Sequence, residues 1–251
     1  MREGRDAGSV FVEGVRLCED ALRASAEFEL GLYTQTLADD ERGVRLLEEL
    51  RDVCDTVRLV SEDVLESASD TRTPQGVVAV ARRPETGRAV VERVAGVPLV
   101  VVMHRANNPS NAGAMLRVAE AAGATAAIVT RGSADPLSAK ALRGSMGSAF
   151  RLPLWTGATL GEALGWCEGR AVRAVSTAAW ATATHTEVDW TTPRAVVVGP
   201  EAGGLSEAEA RAAAECVRIP MRAPVESLNV ATALAVILYE AARQRNFRFQ
   251  I

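Results

Sequence analysis

Residues 98–130 read PLVVVMHRANNPSNAGAMLRVAEAAGATAAIVT, and they contain the clearest signal of secondary structure in the chain. The stretch begins with an apolar run at 98–103 and ends with a second apolar run at 126–130. Between the two runs, small and apolar residues recur at helical spacing from 112 to 122. A strand, a helix and a second strand in this order predict a βαβ unit with two parallel strands.

The same alternation continues towards the end of the chain. We predict strands near 150–154, 171–176, 195–198 and 217–219, and helices at 160–167, 207–214 and 228–243. Several of these strands are so rich in valine that both of their faces must be buried, as in a parallel sheet covered by helices. The later part of the chain is therefore predicted to be an α/β domain with a parallel sheet.

The chain before residue 84 is predicted to form a smaller α/β unit. Its strands are expected at 10–12, 28–33, 57–60 and 76–81, and its helices at 15–24, at 40–51 and after Ser61. The charged segment 82–88, with Pro84 and Gly87, is typical of an exposed linker. We expect a first domain at 1–84, a linker at 85–95 and a second domain at 96–251.

Composition excludes several classes of protein. Of the 251 residues, 48% are hydrophobic and 24% are charged, which favours a folded core over a disordered or fibrous chain. No apolar run reaches the ~18 residues of a membrane span, and no signal peptide is evident, so we expect a cytoplasmic protein without a membrane partner. Four dispersed cysteines and two histidines do not favour a metal site. The net charge of −4 means that any contact with nucleic acid must be local.

Three loops carry the candidate functional residues, each at the expected carboxyl end of a parallel strand, where open α/β sheets bind ligands. In the first loop, 107–117, Asn111 is interpreted as a helix N-cap and Gly113 as a residue that allows close approach of the backbone. Arg117 follows on the same helix. A single arginine on a helix is most often only solvated, so this loop by itself does not establish a site.

The second loop, 198–206, has three glycines beside a strand end, and Ser206 is its predicted helix N-cap. Exposed amides in such a loop can bind an anion or an adenine edge, but a tight strand-to-helix turn has the same composition. The spacing is neither the G-x-G-x-x-G of dinucleotide-binding proteins nor a P-loop. A nucleotide-dependent oxidoreductase, the alternative enzyme class, is therefore disfavoured.

The third loop, 219–229, opens the final helix. Pro220 and Pro224 stiffen it, and Ser227 is the predicted N-cap. Asn229 is unusual, because an amide in the first turn of an otherwise apolar helix must find hydrogen-bond partners if it is buried.

Together the three loops resemble, in the same order, the three motifs of the SpoU/TrmH family of RNA methyltransferases. The resemblance consists of N-x-G-x-x-x-R at 111–117, G-x-E-x-x-G-L at 199–205, and I-P-M at 219–221 followed by V-E-S-L-N-V at 225–230. The stretches FVEG at 11–14, TPQG at 73–76 and RGSMG at 143–147 extend it over nearly the whole chain.

This resemblance implies a small N-terminal α/β substrate-binding domain, similar to a ribosomal protein, and a larger C-terminal α/β domain with a parallel sheet and a deep trefoil knot. It implies S-adenosylmethionine as the cofactor and a ribose 2'-hydroxyl as the methyl acceptor, in ribosomal RNA or, alternatively, in transfer RNA. A non-catalytic RNA-binding relative of the same fold is a second hypothesis, although the motif residues are intact.

The resemblance also implies a homodimer in which both chains complete each site. Ala231, Ala235 and Leu238 recur at helical spacing on the final helix, and we expect them to be buried. Packing within one chain is equally consistent with this pattern.

Carried over by position, the family's motifs imply two sets of site residues. The residues expected to bind the cofactor are Gly199, Gly204, Ile219, Met221 and Leu228, and the residues expected to be catalytic are Asn111, Arg117, Glu201, Ser227 and Asn229. Because a guanidinium is a poor base, we expect Arg117 to anchor an RNA phosphate and to stabilise the developing alkoxide; the alternative, action as the base, is open only in the complex with RNA. The other four would orient Arg117 and the ribose. No metal is expected, and His104, after the first strand of this domain, is interpreted as incidental.

Overall fold

The computed structural model describes residues 8–71 and 73–246. They form two compact units. The first contains the chain through Pro84 together with Leu137–Arg151, and the second contains Glu85–Pro136 and the chain from Leu152 onwards. The segment Leu137–Arg151, expected in the second domain, therefore belongs to the first unit. The expected linker, 85–95, belongs to the second.

The first unit is a four-stranded sheet with helices. Its elements before Pro84 are β1 (Ser9–Glu13), α1 (Val15–Arg23), β2 (Phe28–Tyr33), α2 (Gln35–Ala38), α3 (Glu41–Val53), β3 (Val57–Leu59), α4 (Glu62–Ala68) and β4 (Val77–Arg82). The strand order is β1-β4-β2-β3. Strand β4 is antiparallel to β1 and β2, whereas β3 is parallel to β2. All four strands lie where the sequence predicts them, and α2 is an addition.

The later elements follow in chain order. They are α5 (Arg88–Glu92), β5 (Leu99–Met103), α6 (Pro109–Ala121), β6 (Ala126–Thr130), α7 (Ala139–Ser145), α8 (Ser148–Arg151), β7 (Leu154–Ala158), α9 (Leu160–Gly169), β8 (Arg173–Thr177), β9 (Ala183–Thr184), β10 (Arg194–Val198), α10 (Glu207–Arg211), β11 (Glu215–Arg218) and α11 (Val230–Gln244). A short 3-10 helix, His185–Glu187, follows β9. Helices α7 and α8 belong to the first unit and the other elements to the second.

A buried carboxylate explains why α7 joins the first unit. Glu13, at the end of β1, is 5% exposed and forms an ion pair with Arg143 of α7 at 3.1 Å. It also accepts hydrogen bonds from the hydroxyl groups of Ser69 and Thr71 and from the amides of Asp70 and Thr71. A buried charge needs such a full set of partners, and one of them comes from a distant segment that sequence periodicity cannot assign.

The second unit is built on a parallel seven-stranded sheet with the strand order β7-β6-β5-β10-β8-β11-β9. All neighbouring strands are parallel. Strands β5, β6 and β10 are buried along their whole length, as their valine-rich sequences predict. The predicted α/β class with a parallel sheet is confirmed. The trefoil knot stays a prediction.

The centre of this sheet is a topological switch point. From β5 the chain adds β6 and then β7 on one side, whereas β10, β8, β11 and β9 lie on the other. Open α/β sheets bind ligands in the crevice at the carboxyl ends of the strands on either side of such a point. The topology therefore predicts a ligand site at the loops that follow β5 and β10.

Two predictions of local structure were wrong. The strand expected at 150–154 begins only at Leu154, which pairs with Ala127, and Ser148–Arg151 is helical. A short apolar run does not by itself distinguish a strand from a helix. The expected linker contains α5, which packs against β7.

Within the residues described, no helix is both long enough and apolar enough to cross a membrane.

Candidate functional site

The candidate site lies at the carboxyl edge of the parallel sheet. Loops 104–108, 178–182, 199–206 and 219–229 leave strands β5, β8, β10 and β11 at this edge. Hydrogen bonds between backbone groups hold the strand ends in register. The amide of His104 donates to the carbonyl of Val198 at 2.9 Å, and the amide of Ala178 donates to the carbonyl of Val217 at 3.0 Å. The three predicted motifs therefore all begin at this edge, the first two at the adjacent strands β5 and β10 and the third at β11, beyond β8.

Three of the predicted catalytic side chains meet directly. Asn111 Nδ2 donates to Glu201 Oε1 at 3.1 Å, and Asn229 Nδ2 donates to Asn111 Oδ1 at 3.2 Å. Each of the three residues comes from a different motif. Asn111 therefore connects the other two motifs through both polar atoms of its side chain.

Asn229 is fixed by its own helix. Its Oδ1 accepts from the amides of Ala231 at 2.9 Å and Thr232 at 3.4 Å, which makes it the N-cap of α11. The prediction that Ser227 is this N-cap was wrong, because Ser227 lies two residues earlier in an exposed loop. Capping uses the oxygen of the Asn229 amide and leaves its nitrogen for Asn111.

Asn111 is not a cap either. The N-cap of α6 is Asn108, whose Oδ1 accepts from the amide of Ser110 at 2.9 Å, and Pro109 occupies the first helical position. The helix thus starts earlier than the sequence analysis predicted. Asn111 lies in its first turn, and its side chain is free to contact the other two motifs.

Arg117 lies on α6 six residues after Asn111, about 9 Å further along the helix axis. Its side chain is exposed. Among the residues that the structure describes, it has no hydrogen bond or ion pair. A guanidinium carries five N–H donors in a planar fork that matches phosphate and carboxylate oxygens. Arg117 is therefore available to an anionic ligand, whereas Asn111, Glu201 and Asn229 are bonded to one another.

The glycine loop, residues 199–205, is tightly folded. A Cβ on Gly199 would lie 2.5 Å from the backbone nitrogen of Leu205, so only glycine fits where the loop returns to its starting point. Gly203 and Gly204 have φ angles of 82° and 65°, which favour glycine. Residues 201–204 are exposed. The loop thus presents backbone without bulky side chains at the edge of the sheet.

The loop 219–229 exposes apolar side chains. Met221, Val225 and Leu228 are 36%, 53% and 38% exposed. Ile219, at the start of the loop, is partly buried. Clustered apolar groups on a surface often mark a binding site. The predicted cofactor-binding residues Ile219, Met221 and Leu228 therefore all have surface to offer a ligand, although their role is still a prediction.

A network around His104 supports the glycine loop, and the sequence analysis missed it. The buried His104 has its Nδ1 3.0 Å from Thr130 Oγ1, and its Nε2 3.0 Å from Arg105 Nε and 3.1 Å from Glu209 Oε1. Because Arg105 Nε–H can only donate, we assign Nε2 as the acceptor and Nδ1–H as the donor to Thr130. Arg105 also pairs with Glu209. His104 thus has a structural role in this network, whereas the interpretation that it is incidental to catalysis stays a prediction.

Glu209 joins this network to the start of α10. Its Oε2 accepts from the amide of Ser206 at 2.9 Å and from the Ser206 hydroxyl at 2.8 Å, while Ser206 Oγ accepts from the amide of Glu209. Ser206 is therefore the N-cap, as predicted. The two hydrogen bonds from Ser206, together with the positive charge of Arg105, lower the pKa of Glu209 to about 2. The capping-box pattern S-x-x-E at 206–209 is the sequence signal that identifies this carboxylate.

The network also stabilises an unusual backbone conformation. Arg105 has a φ of 49°, in the left-handed region that non-glycine residues rarely adopt. Such strain persists where surrounding contacts determine the conformation, and it is frequent at functional sites. Here the side chain of Arg105 is held by His104 and Glu209 at the start of the first motif loop.

Cys18 and Cys167, two of the four cysteines, are buried and do not offer a thiolate. Burial raises the pKa of both Cys18 and Cys167 to about 12, so these thiols stay protonated at neutral pH. In the described part of the chain, no three His, Cys, Asp or Glu side chains come together as a metal site requires.

Comparison with known proteins finds a family match for each of the two units. The profile of the SpoU rRNA Methylase family matches residues 98–239, and that of the MRM3-like substrate binding domain matches residues 1–79. The 23S rRNA (guanosine-2'-O-)-methyltransferase RlmB of a Burkholderia species is 35% identical over 193 residues, covering 75% of this chain and 78% of that protein. The 23S rRNA (uridine(2479)-2'-O)-methyltransferase of Streptomyces viridochromogenes is 33% identical over 252 residues, covering 95% of this chain and 84% of that protein.

A solved structure is similar over almost the whole chain. The crystal structure of the SpoU methyltransferase AviRb from Streptomyces viridochromogenes, in complex with the cofactor AdoMet (S-adenosylmethionine), has a TM-score of 0.86 and 31% sequence identity. The match covers 96% of this chain and 92% of that one.

The network predicts a pH-dependent stability that Glu209→Gln removes. The pKa of Glu209 is about 2 in the folded chain against an ordinary value of 4.5. The carboxylate therefore contributes its full stability above pH 4.5 and loses it as the pH falls towards 2. Urea denaturation should show that the variant is less stable at pH 7, and that the difference from the wild type shrinks on acidification.

Glu207→Gln is the matched control, because Glu207 lies in the same first turn and forms an exposed pair with Arg211. An exposed pair contributes little, so this variant should stay close to the wild type. A difference for Glu209→Gln that is the same at every pH would contradict the assigned network.

Proposed function

The chain belongs to the SpoU rRNA methylase family, and on this basis we propose that it transfers a methyl group from S-adenosylmethionine to a ribose 2'-hydroxyl in 23S ribosomal RNA. The main support for the proposal is the contact of Asn111, Glu201 and Asn229, which joins three separate motifs. Asn111 lies on the same helix as Arg117. Fold similarity alone would not support the proposal, because one fold supports many functions.

Ribosomal RNA is favoured over transfer RNA for two reasons. Both named relatives act on 23S rRNA, and the first unit matches a substrate-binding domain. A non-catalytic relative is disfavoured, because a site that had lost its catalytic activity would not be expected to retain these hydrogen-bonded polar residues. The proposal includes a cytoplasmic location, the compartment of ribosomal RNA.

The loops fit S-adenosylmethionine. Gly199 and Gly204 would offer backbone groups to the adenine, and Ile219, Met221 and Leu228 would cover its apolar surface. The open space beside Gly204, where a Cβ would meet nothing within 4 Å, leaves room for a ligand. When bound, the cofactor supplies an electrophilic methyl group on a sulfonium. The trefoil knot is proposed to form in the chain between β10 and α11, which contains the glycine loop and the loop 219–229.

Arg117 is proposed to act on the RNA. The ribose hydroxyl becomes a good nucleophile only as it loses its proton, and a protonated guanidinium is a poor base. The planar fork of Arg117 suits a different role, in which one edge anchors a phosphate and the other stabilises the charge that develops on the 2'-oxygen. Its exposure and its lack of partners among the described residues leave it free for this role.

The remaining polar residues are proposed to orient the ribose. Glu201 and Asn229 hold the Asn111 amide from both sides, so its position is set before substrate arrives. Such preorganisation means that little reorganisation is needed in the transition state. Ser227, exposed in the neighbouring loop, is included because it follows the family motif.

The product chemistry tests the proposal. We expect label from methyl-tritiated S-adenosylmethionine to enter ribosomal RNA taken from cells without this gene. A 2'-O-methyl group blocks cleavage by alkali at its own phosphodiester, so alkaline hydrolysis should give labelled dinucleotides. Labelled mononucleotides would show base methylation instead, and label in transfer RNA alone would favour the alternative substrate.

Replacing Arg117 tests its role. Arg117→Ala should abolish methyl transfer, with folding and cofactor affinity nearly unchanged, because its proposed partner is the RNA. Arg117→Lys should also lose activity by orders of magnitude, on the scale of ~3–4 kcal/mol for a lost transition-state contact, because lysine lacks the planar fork. Single-turnover rates measure both effects.

Arg88→Ala removes another exposed arginine, on α5, and should keep its rate. Near-normal rates for Arg117→Lys would mean that a point charge is sufficient. A normal rate for Arg117→Ala would mean that the assigned role is wrong.

A homodimer is also part of the proposal, and the structure changes the argument for it. Ala231 and Leu238 are buried within the chain, and Ala235 is partly buried, on a helix that packs against α6. These residues therefore do not argue for a dimer. The support comes from the outer face of α11, where Val236 and Tyr239 are 37% and 46% exposed. This apolar face lies on the helix next to the one that carries Arg117.

Introducing a charge into this face tests the dimer. We expect the wild type to be a dimer by light scattering at micromolar concentration, and Val236→Asp to weaken it and to reduce methyl transfer. Val53→Asp is the control, because Val53 on α3 is also apolar and is 53% exposed. A wild-type monomer with full activity would overturn the dimer proposal.

A further inference from the structure

Trp180 is a large aromatic residue that none of the three motifs includes. Its side chain is 49% exposed. It lies in the turn after β8, and β8 lies between β10 and β11 in the sheet. The glycine loop follows β10 and the apolar loop follows β11, so the turn with Trp180 leaves the sheet between the two loops proposed to hold the cofactor.

Hydrogen bonds fix this turn at the edge of the sheet. Before it, Thr177 Oγ1 donates to the carbonyl of Val197 on β10 at 3.3 Å. Within it, the amide of Ala178 donates to Val217 on β11 at 3.0 Å, and the amide of Ala181 donates to the carbonyl of Ala178 at 3.2 Å. The exposed indole is therefore carried on a backbone tied to both neighbouring strands.

One face of the indole is backed by an arginine. The guanidinium carbon of Arg211 lies 5.3 Å from the centre of the Trp180 ring. Arg211 is itself held by Glu207, whose Oε1 accepts from Arg211 Nε at 2.9 Å. A cation over an aromatic face stabilises the stack. With one face covered and the side chain half exposed, the ring still offers surface to a ligand.

The stack is close to the glycine loop. Arg211 is the last residue of α10, and this helix begins directly after the loop and its cap Ser206. At 1.5 Å per residue, the five residues of α10 span about 7.5 Å. The stack of Trp180 on Arg211 therefore lies at the same edge of the sheet as the glycine loop.

From this arrangement we propose that Trp180, backed by Arg211, is a stacking platform for an unpaired base of the RNA substrate. This inference rests on the proposed function, because it assumes an RNA at this edge. Unpaired bases in RNA stack on aromatic side chains and on arginine. Stacking also suits this chain because its net charge of −4 limits overall attraction to RNA. A platform of this kind binds any base and adds affinity without reading sequence.

The test compares RNA binding with cofactor binding in three variants. In vitro transcribed 23S rRNA and S-adenosylmethionine are titrated separately into the full chain. Trp180→Ala should weaken RNA binding about tenfold or more and raise the KM for RNA, with kcat and cofactor affinity unchanged. Trp180→Phe should keep most of the affinity, because a phenyl ring still stacks. Val97→Ala, which truncates a residue 50% exposed just before β5, is the control and should have no effect.

Fluorescence gives an independent measurement. The chain has four tryptophans, and RNA should quench the emission of the wild type more than that of Trp180→Phe. Unchanged RNA affinity in Trp180→Ala would overturn the proposal. Lost cofactor affinity with unchanged RNA affinity would also overturn it, and would assign the ring to the adenine of the cofactor. A wild type that binds RNA through Trp180 but transfers no methyl group would overturn only the proposed function.

Discussion

The parallel pairing of β5 with β10 brings the first two motif loops together at one edge of the sheet. The two strands are far apart in sequence, yet they lie side by side from Leu99 opposite Arg194 to Met103 opposite Val198. Their ends place His104 beside Gly199, so the first and second motifs start at adjacent points. Burial of both strands on both faces fixes this register, because a slip of one residue would move every side chain to the opposite face and disrupt the packing on both.

The two loops that follow β10 and β11 differ in how they are held and in how exposed they are. The glycine loop is anchored at its far end by Glu209, which Arg105 links to His104. The loop 219–229 is exposed and apolar, and it is joined to the others through Asn229. A preformed anchor beside an adaptable apolar cover is the arrangement expected for a site that holds a small cofactor and admits a large substrate.

How much the sequence predicted depends on the range of the interactions involved. Valine-rich strands and the parallel sheet were predictable because burial on both faces leaves a local pattern. The need of Asn229 for partners was also visible, but not that Asn111 supplies one. The transfer of Leu137–Arg151 to the first unit depends on the Glu13–Arg143 pair, which joins residues 130 positions apart. The role of His104 likewise depends on Glu209, a contact over 105 positions that no single-chain periodicity contains.

We propose that the loops at the carboxyl edge of the sheet form a site for S-adenosylmethionine. Calorimetric titration of the purified chain tests it most directly, with NADH as the competing nucleotide cofactor. We expect saturable binding of S-adenosylmethionine and no heat of binding with NADH. Binding of NADH without binding of S-adenosylmethionine would show that these loops hold a different cofactor.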